Sequence, residues 1–234
     1  MRFNLPLILL FNSKTNYIYA ANKVMIFVKK IVPTIIRNFL KDLNSIYSWH
    51  SSLYEAPSPN FIKRGVLVRN AIPQGTYVET GTYLGDTTKF LAKRFPRVIS
   101  LEPDQKLFSR AVKRLAPFSN VEIIHGSSEE IFPVLLPKLG GDVNFWLDGH
   151  YSGGAAWPTY KGESATPIVL ELDQIECSIS KFRNVSVLID DVRSFQSRIE
   201  LDYPKLDYLV DWARRTGLNW HIEHDVFVAR SIGI

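Results

Sequence analysis

The stretch Glu79-Thr80-Gly81-Thr82-Tyr83-Leu84-Gly85 decides the fold of this chain. It ends a short β-rich run, residues 76–80, and its two glycines let the backbone turn tightly and approach a ligand closely. The helical pattern that follows, from Asp86 to Phe95, offers unpaired N–H groups and a positive end. A strand, a glycine turn and a helix in this order predict a site for a nucleotide-like ligand. A turn that is only structural would also fit.

The spacing of the glycines narrows the kind of ligand. The pattern is Gly-x-x-x-Gly with Glu79 in front of it, and not Gly-x-Gly-x-x-Gly, so the pyrophosphate fingerprint of nicotinamide enzymes is missing. A carboxylate in front of the turn suits a ligand that carries a cationic amine, as methionine does.

Strand-like and helix-like segments alternate from residue 76 onward, which predicts a parallel sheet covered by helices on both faces. The last two strands are separated only by His224-Asp225, too short for a crossover, so the last strand should run antiparallel. We therefore expect an α/β, Rossmann-like, seven-stranded and mostly parallel sheet. Its predicted strands are 76–80, 97–102, 121–125, 143–148, 185–190, 219–223 and 226–230.

Charge is unevenly placed along the chain. Residues 1–70 hold ten Lys/Arg and two Asp/Glu, a net +8, whereas residues 71–234 hold eighteen against twenty-one, a net −3. We expect a basic N-terminal helical segment and linker over 1–70 and one domain over 71–234. Residues 24–40 are apolar and basic, so they would either pack as a helix on the domain or lie on a membrane surface.

Two further groups of polar residues follow strands at the same predicted edge of the sheet. Glu102 ends the second strand, where a carboxylate can hold the two ribose hydroxyls of a nucleoside. Ser127 and Ser128 follow the third strand, where they would either contact an adenine or cap the next helix.

Carboxylates end the fourth and fifth strands. Asp148 follows one, and the pair Asp190-Asp191 follows the other, so all three should converge at the carboxyl edge. Three acids there would repel each other unless a cation or protons neutralised them. Oxygen ligands of this kind suit Mg²⁺. The alternative is that one acid binds the amine of a cofactor and the others cap turns.

From about Thr76 to Ile232 the chain resembles class I S-adenosylmethionine-dependent methyltransferases, whose sheet ends antiparallel in this way. It looks most like the cation-dependent, catechol-type O-methyltransferases and their bacterial small-molecule and sugar relatives. The resemblance implies S-adenosylmethionine bound by Glu79, Gly81, Thr82, Gly85, Glu102, Ser127 or Ser128, and Asp148, and Mg²⁺ bound by Asp148, Asp190 and Asp191.

The catalytic base does not carry over from that family. Where its catechol enzyme has a lysine, three residues after the fourth-strand acid, this chain has Tyr151. His150 and Asp148 beside it are our candidates for catalytic roles, with His150 as the proton acceptor, since imidazole titrates near neutrality. A histidine that only orders the Gly-rich loop is the alternative.

These residues predict a cytoplasmic enzyme that methylates a hydroxyl of a small-molecule or sugar acceptor with the help of a divalent cation. A hydroxylase-like protein, or a non-catalytic binding module with the same fold, stays open, as do a homodimer and a peripheral membrane contact. We expect no nucleic-acid partner, because no Asn-Pro-Pro-Tyr-like motif follows the fourth strand and residues 71–234 lack a basic surplus.

Overall fold

The computed structural model of the protein describes residues 34–148, 166–197 and 203–231. The chain divides into two compact units, residues 1–54 and 55–234. In the first, helix α1 (Thr34–Ser51) exposes apolar side chains that include Phe39, Leu43 and Tyr47. Among the described helices, none is both long enough and apolar enough to cross a membrane.

A single seven-stranded sheet forms the centre of the second unit. Its spatial order is β3-β2-β1-β4-β5-β7-β6; the first five strands are parallel and β7 runs antiparallel to both of its neighbours. This confirms the predicted sheet and its antiparallel finish. The strands are β1 (Thr76–Thr80), β2 (Val98–Glu102), β3 (Val121–His125), β4 (Gly141–Leu147), β5 (Phe182–Ile189), β6 (Asn219–Glu223) and β7 (Val226–Arg230).

Helices connect the strands of this unit and pack on both faces of the sheet, as predicted. They are α2 (Asn60–Asn70), α3 (Asp86–Ala92), α4 (Gln105–Leu115), α5 (Ser128–Leu135), α6 (Ile168–Ser178), α7 (Ser194–Ser197) and α8 (Leu206–Arg215).

Successive strand residues point to opposite faces, so the sheet carries two apolar cores. On one face Val78 and Phe145 pack among side chains of α5, α6 and α8, including fully buried Trp212. On the other face Tyr77 and Trp146 pack among side chains of α2 and α3. Both faces are therefore covered, which is why the central strands are buried along most of their length.

Helix α2 belongs to the unit that contains the sheet. Its Val66 and Leu67 are almost fully buried in the second core. The division between the units therefore falls after Tyr54, earlier in the chain than the predicted boundary at residue 70.

The strand register brings the predicted site residues to one level of the sheet. Thr80 pairs with Leu101 on one side and with Leu147 on the other, and Leu147 pairs with Ile189. The residues that follow these four positions are Gly81, Glu102, Asp148 and Asp190. The strand order also reverses between β1 and β4, and ligands of open α/β sheets bind at the carboxyl edge beside such a switch point.

Candidate active site at the carboxyl edge of the sheet

The glycine turn after β1 needs both of its glycines. Gly81 has φ 91° and Gly85 has φ 72°, values that residues with a Cβ rarely adopt. A Cβ on Gly85 would lie 3.0 Å from Cδ1 of Leu115 on α4. The N–H groups of Gly81 and Thr82 both donate to the carbonyl of Leu101, at 3.1 and 2.9 Å, which ties the turn to β2.

Glu79 lies beneath this turn and is almost completely buried. Its Oε2 accepts hydrogen bonds from the hydroxyls of Ser100, at 2.6 Å, and Thr88, at 2.5 Å. Burial raises the pKa of Glu79 to about 7 even though these two hydrogen bonds oppose the shift. The carboxyl group thus braces the start of α3 against β2, and its contact with a cofactor stays a prediction.

Thr82 also faces the interior. Its hydroxyl is 2.6 Å from the hydroxyl of Ser100 and donates to the carbonyl of Leu101 at 3.1 Å. The side chain therefore stabilises the turn from inside.

Glu102 is fixed at the end of β2 and faces the turn. Its Oε2 accepts from the N–H of Tyr83 at 2.7 Å, and its Oε1 accepts from the N–H of Asp104 at 3.0 Å. Burial raises its pKa, against these two backbone hydrogen bonds. A carboxylate oxygen can accept more than one hydrogen bond, so an ionised Glu102 keeps acceptor capacity for ribose hydroxyls.

The serines after β3 have a structural role of their own. The hydroxyl of Ser127 accepts from the N–H of Glu130 at 3.4 Å, and the carboxylate of Glu130 accepts from the N–H of Ser127 at 3.1 Å. This reciprocal pair caps the start of α5. Ser128 is buried at the same helix start. An adenine contact from either serine stays a prediction.

The predicted metal ligands surround a protein cation. Nζ of Lys63, on α2, lies 2.5 Å from Oδ1 of Asp190 and 3.2 Å from Oδ1 of Asp191. Asp148 is close enough for its charge to raise the pKa of Lys63 as well. Burial opposes ionisation of the lysine and is the largest single influence, but the three carboxylates together outweigh it, so its pKa is raised.

Arg193 supplies a second positive charge. Its Nη1 lies 2.8 Å from Oδ1 of Asp191 and also pairs with Asp225, which follows β6. Asp190, Asp191 and Asp225 lie close enough together to hold a metal ion, but Lys63 and Arg193 already bind these three carboxylates. Mg²⁺ needs oxygen ligands at about 2.0–2.1 Å, and here it would also face two cations. The described residues therefore do not fit Mg²⁺ in this arrangement.

Lys63, Arg193 and Asp225 were not predicted as site residues. The sequence held a signal for Lys63, because it shares one helical face with Val66, Leu67 and Asn70, at the spacing i, i+3, i+4 and i+7. The structure buries all four of these residues. A lysine on the buried face of a helix indicates a paired charge. Its partners are 127 and 128 residues away in the chain, so their identity could not be inferred from local sequence.

A small cavity of about 10 Å³ adjoins Asp190. Glu171 and Tyr203 lie in its wall, beside the ends of β4 and β5. This volume has room for about one water molecule. Predicted His150 and Tyr151 belong to residues 149–165, which lie outside the described part of the chain.

The strand order, the antiparallel β7 and the glycine turn at the switch point define the Rossmann-like fold of class I S-adenosylmethionine-dependent methyltransferases. No protein-family model matches the chain. It is 33% identical over 66 residues to ribosomal RNA small subunit methyltransferase A of Ligilactobacillus salivarius. This aligned stretch is 28% of this chain and 22% of that protein. The protein of the same name from Bacillus cytotoxicus is 38% identical over 66 residues, 28% of this chain and 23% of its own length.

Solved structures give weaker likenesses. The N-methyltransferase NodS of Bradyrhizobium japonicum has a TM-score of 0.49 and 11% identity, over 73% of this chain and 94% of that one. Aeropyrum pernix fibrillarin with bound S-adenosylmethionine has a TM-score of 0.46 and 11% identity, over 73% and 74%. An rRNA methylase from Streptococcus thermophilus has a TM-score of 0.43 and 14% identity, over 75% and 95%. At TM-scores below 0.5, these likenesses support no statement on function.

The prediction of a small-molecule acceptor and no nucleic-acid partner is wrong. Both curated relatives are named as methyltransferases of ribosomal RNA. The prediction failed because it weighed only the motif after β4 and the charge of residues 71–234. The positive charge of the chain lies in residues 1–70.

Proposed function

We propose that the protein is an S-adenosylmethionine-dependent methyltransferase that acts on RNA. The observation that carries the proposal is the glycine turn after β1, with buried Glu102 held beside it at the end of β2. The two relatives, each aligned with the chain over 66 residues and each named as a methyltransferase, support the same activity. The match spans less than a quarter of either relative, so the activity is a proposal for this chain.

Residues at four strand ends would bind the methyl donor. Glu102 would accept hydrogen bonds from the two ribose hydroxyls, and the N–H groups at the start of α3 would face the methionine part. Ser128, or Ser127 beside its capping role, would line the adenine. Asp148 lies next to the turn, since its N–H donates to the carbonyl of Thr80 at 3.3 Å, and would orient the donor's amine.

S-adenosylmethionine supplies a methyl group that is already activated by its sulfonium. The protein therefore has mainly to align donor and acceptor and to exclude water. Asp148 directly follows β4, and His150 comes two residues later in the chain. His150 stays our candidate for removing a proton from the acceptor.

The RNA part of the proposal is supported by the names of the relatives and by charge. Residues 1–54 carry a net +6, and phosphate contacts from Lys and Arg supply much of the affinity of proteins for nucleic acids. We expect these basic residues to contribute phosphate contacts to the bound RNA.

Transfer of a radiolabelled methyl group from S-adenosylmethionine to total RNA tests the proposal. We expect label in RNA that ribonuclease releases and deoxyribonuclease does not, and digestion to nucleosides identifies the methylated atom. Glu102→Gln should abolish most of this label, whereas Glu122→Gln, at an exposed glutamate of β3, should leave it unchanged. Donor binding without any label in RNA would overturn the RNA acceptor, and absence of donor binding would overturn the methyltransferase.

A further inference from the structure

The acid cluster at the ends of β4 and β5 has a built-in positive charge. Lys63 is only 8% exposed, and its ammonium contacts Asp190 and Asp191 while lying within the field of Asp148. These are the three carboxylates whose convergence predicted a divalent cation. The ammonium group therefore lies where the sequence pattern placed the metal ion.

The backbone holds the two neighbouring aspartates toward this lysine. Asp191 has φ 57°, a left-handed conformation that is uncommon for a residue other than glycine. Oδ1 of Asp190 accepts a hydrogen bond from the N–H of Asp191 at 2.8 Å and another from the ammonium group of Lys63. Strained backbone of this kind persists when the surrounding contacts fix it, and it is found most often at functional sites.

The lysine is held equally firmly from its own side. Lys63 lies one turn before Val66 and Leu67, which anchor α2 in the second apolar core. A buried ammonium is stable only when it is paired, and a buried carboxylate likewise. Lys63 and the aspartates thus depend on one another, and a divalent ion could enter only if the ammonium left.

We infer that Lys63 is the resident cation of the cluster formed by Asp148, Asp190 and Asp191, and that it replaces a divalent metal ion there. The inference concerns which cation the cluster holds. It does not depend on the proposed methyl transfer. It assigns Lys63 as a positioning residue that fixes the aspartates at the carboxyl edge.

Binding of Mn²⁺, followed by electron paramagnetic resonance on the full chain, tests this inference. The wild type should take up no Mn²⁺ that depends on Asp190. Lys63→Met should gain one site that binds Mn²⁺ about tenfold or more tightly than the wild type, because a like charge is removed from among carboxylates. Adding Asp190→Asn to that variant should abolish the new site.

Three controls make each outcome decisive. Lys63→Arg keeps a cation and should behave like the wild type. Lys138→Met removes an exposed lysine, with the same change in net charge, and should gain no site. Circular dichroism establishes that each variant is folded, and Lys63→Gln is the second neutral variant if Lys63→Met does not fold.

Two results would overturn the inference. One is stoichiometric Mn²⁺ binding by the wild type that Asp190→Asn removes, and this titration requires no lysine variant. The other is a folded neutral variant of Lys63 that binds no more Mn²⁺ than the wild type. Neither readout uses S-adenosylmethionine, so failure here is distinct from failure of the proposed function.

Discussion

Burial in the folded chain brings the pKa of Glu79 close to neutral pH. Its folded-state pKa of about 7 lies above the ordinary value of 4.5, and burial is the cause. Between these two pH values the folded chain retains a proton that the unfolded chain releases. The stabilisation from this group is therefore complete below about pH 4.5 and is lost as the pH rises through about 7.

The variant Glu79→Gln should remove this pH dependence. Its amide oxygen can still accept from Ser100 and Thr88, so the bracing contacts remain. Between pH 4.5 and 7, the free energy of unfolding of the wild type should fall by about 3 kcal/mol relative to that of the variant. Urea unfolding at several pH values measures this, and two curves that stay parallel would rule out the shifted pKa.

Residues near one another in the chain could be predicted from sequence, whereas distant partners could not. Gly81 and Gly85 were recognisable because the turn chemistry is local, and Glu102 because its place after the next strand follows from the same alternation. Lys63 was missed because only the folded sheet brings α2 to the end of β5. A helical pattern shows which face is buried, but not which strand end that face meets.

At the scale of elements, the start of α3 depends on the left-handed turn before it. Gly85→Ala would place a methyl group at φ 72° and 3.0 Å from Leu115, so we expect a loss of about 1–3 kcal/mol in the free energy of unfolding. The added methyl group should also displace the start of α3 and thereby weaken binding of S-adenosylmethionine.

Gly140→Ala is the matched control for this prediction. Gly140 precedes β4, and its nearest neighbour to an added Cβ is a backbone oxygen 3.9 Å away, an ordinary contact. This variant should unfold within about 0.5 kcal/mol of the wild type. Equal stability of both variants in chemical denaturation would refute the role assigned to the turn.

At the scale of the whole molecule, the two units divide the charge. Residues 1–54 hold seven Lys/Arg and one Asp/Glu, a net +6, so a chain without them falls from +5 to −1. All seven strands and both apolar cores lie in residues 55–234. We expect the shortened chain to fold and to keep its affinity for S-adenosylmethionine.

The shortened chain should bind RNA more weakly and with a shallower dependence on salt, because fewer phosphate contacts release fewer counterions. Fluorescence anisotropy with labelled RNA at several salt concentrations measures both quantities. Unchanged affinity and salt dependence would show that the basic segment does not contact RNA.

The sheet topology followed from the sequence because alternation of strands and helices fixes a parallel sheet, and the short His224-Asp225 connection fixes its antiparallel end. The class of the methyl acceptor could not be predicted from the sequence in this way. The glycine turn and Glu102 describe the donor side of the site, whereas the acceptor is met by side chains that the strand pattern does not specify.

Calorimetric titration of the full chain with S-adenosylmethionine tests the central claim most directly. We expect one donor per chain, with affinity reduced about tenfold or more by Glu102→Gln, since a charged acceptor for the ribose hydroxyls is lost. Glu122→Gln should match the wild type. Absence of binding at millimolar donor, or binding that Glu102→Gln leaves unchanged, would contradict the account.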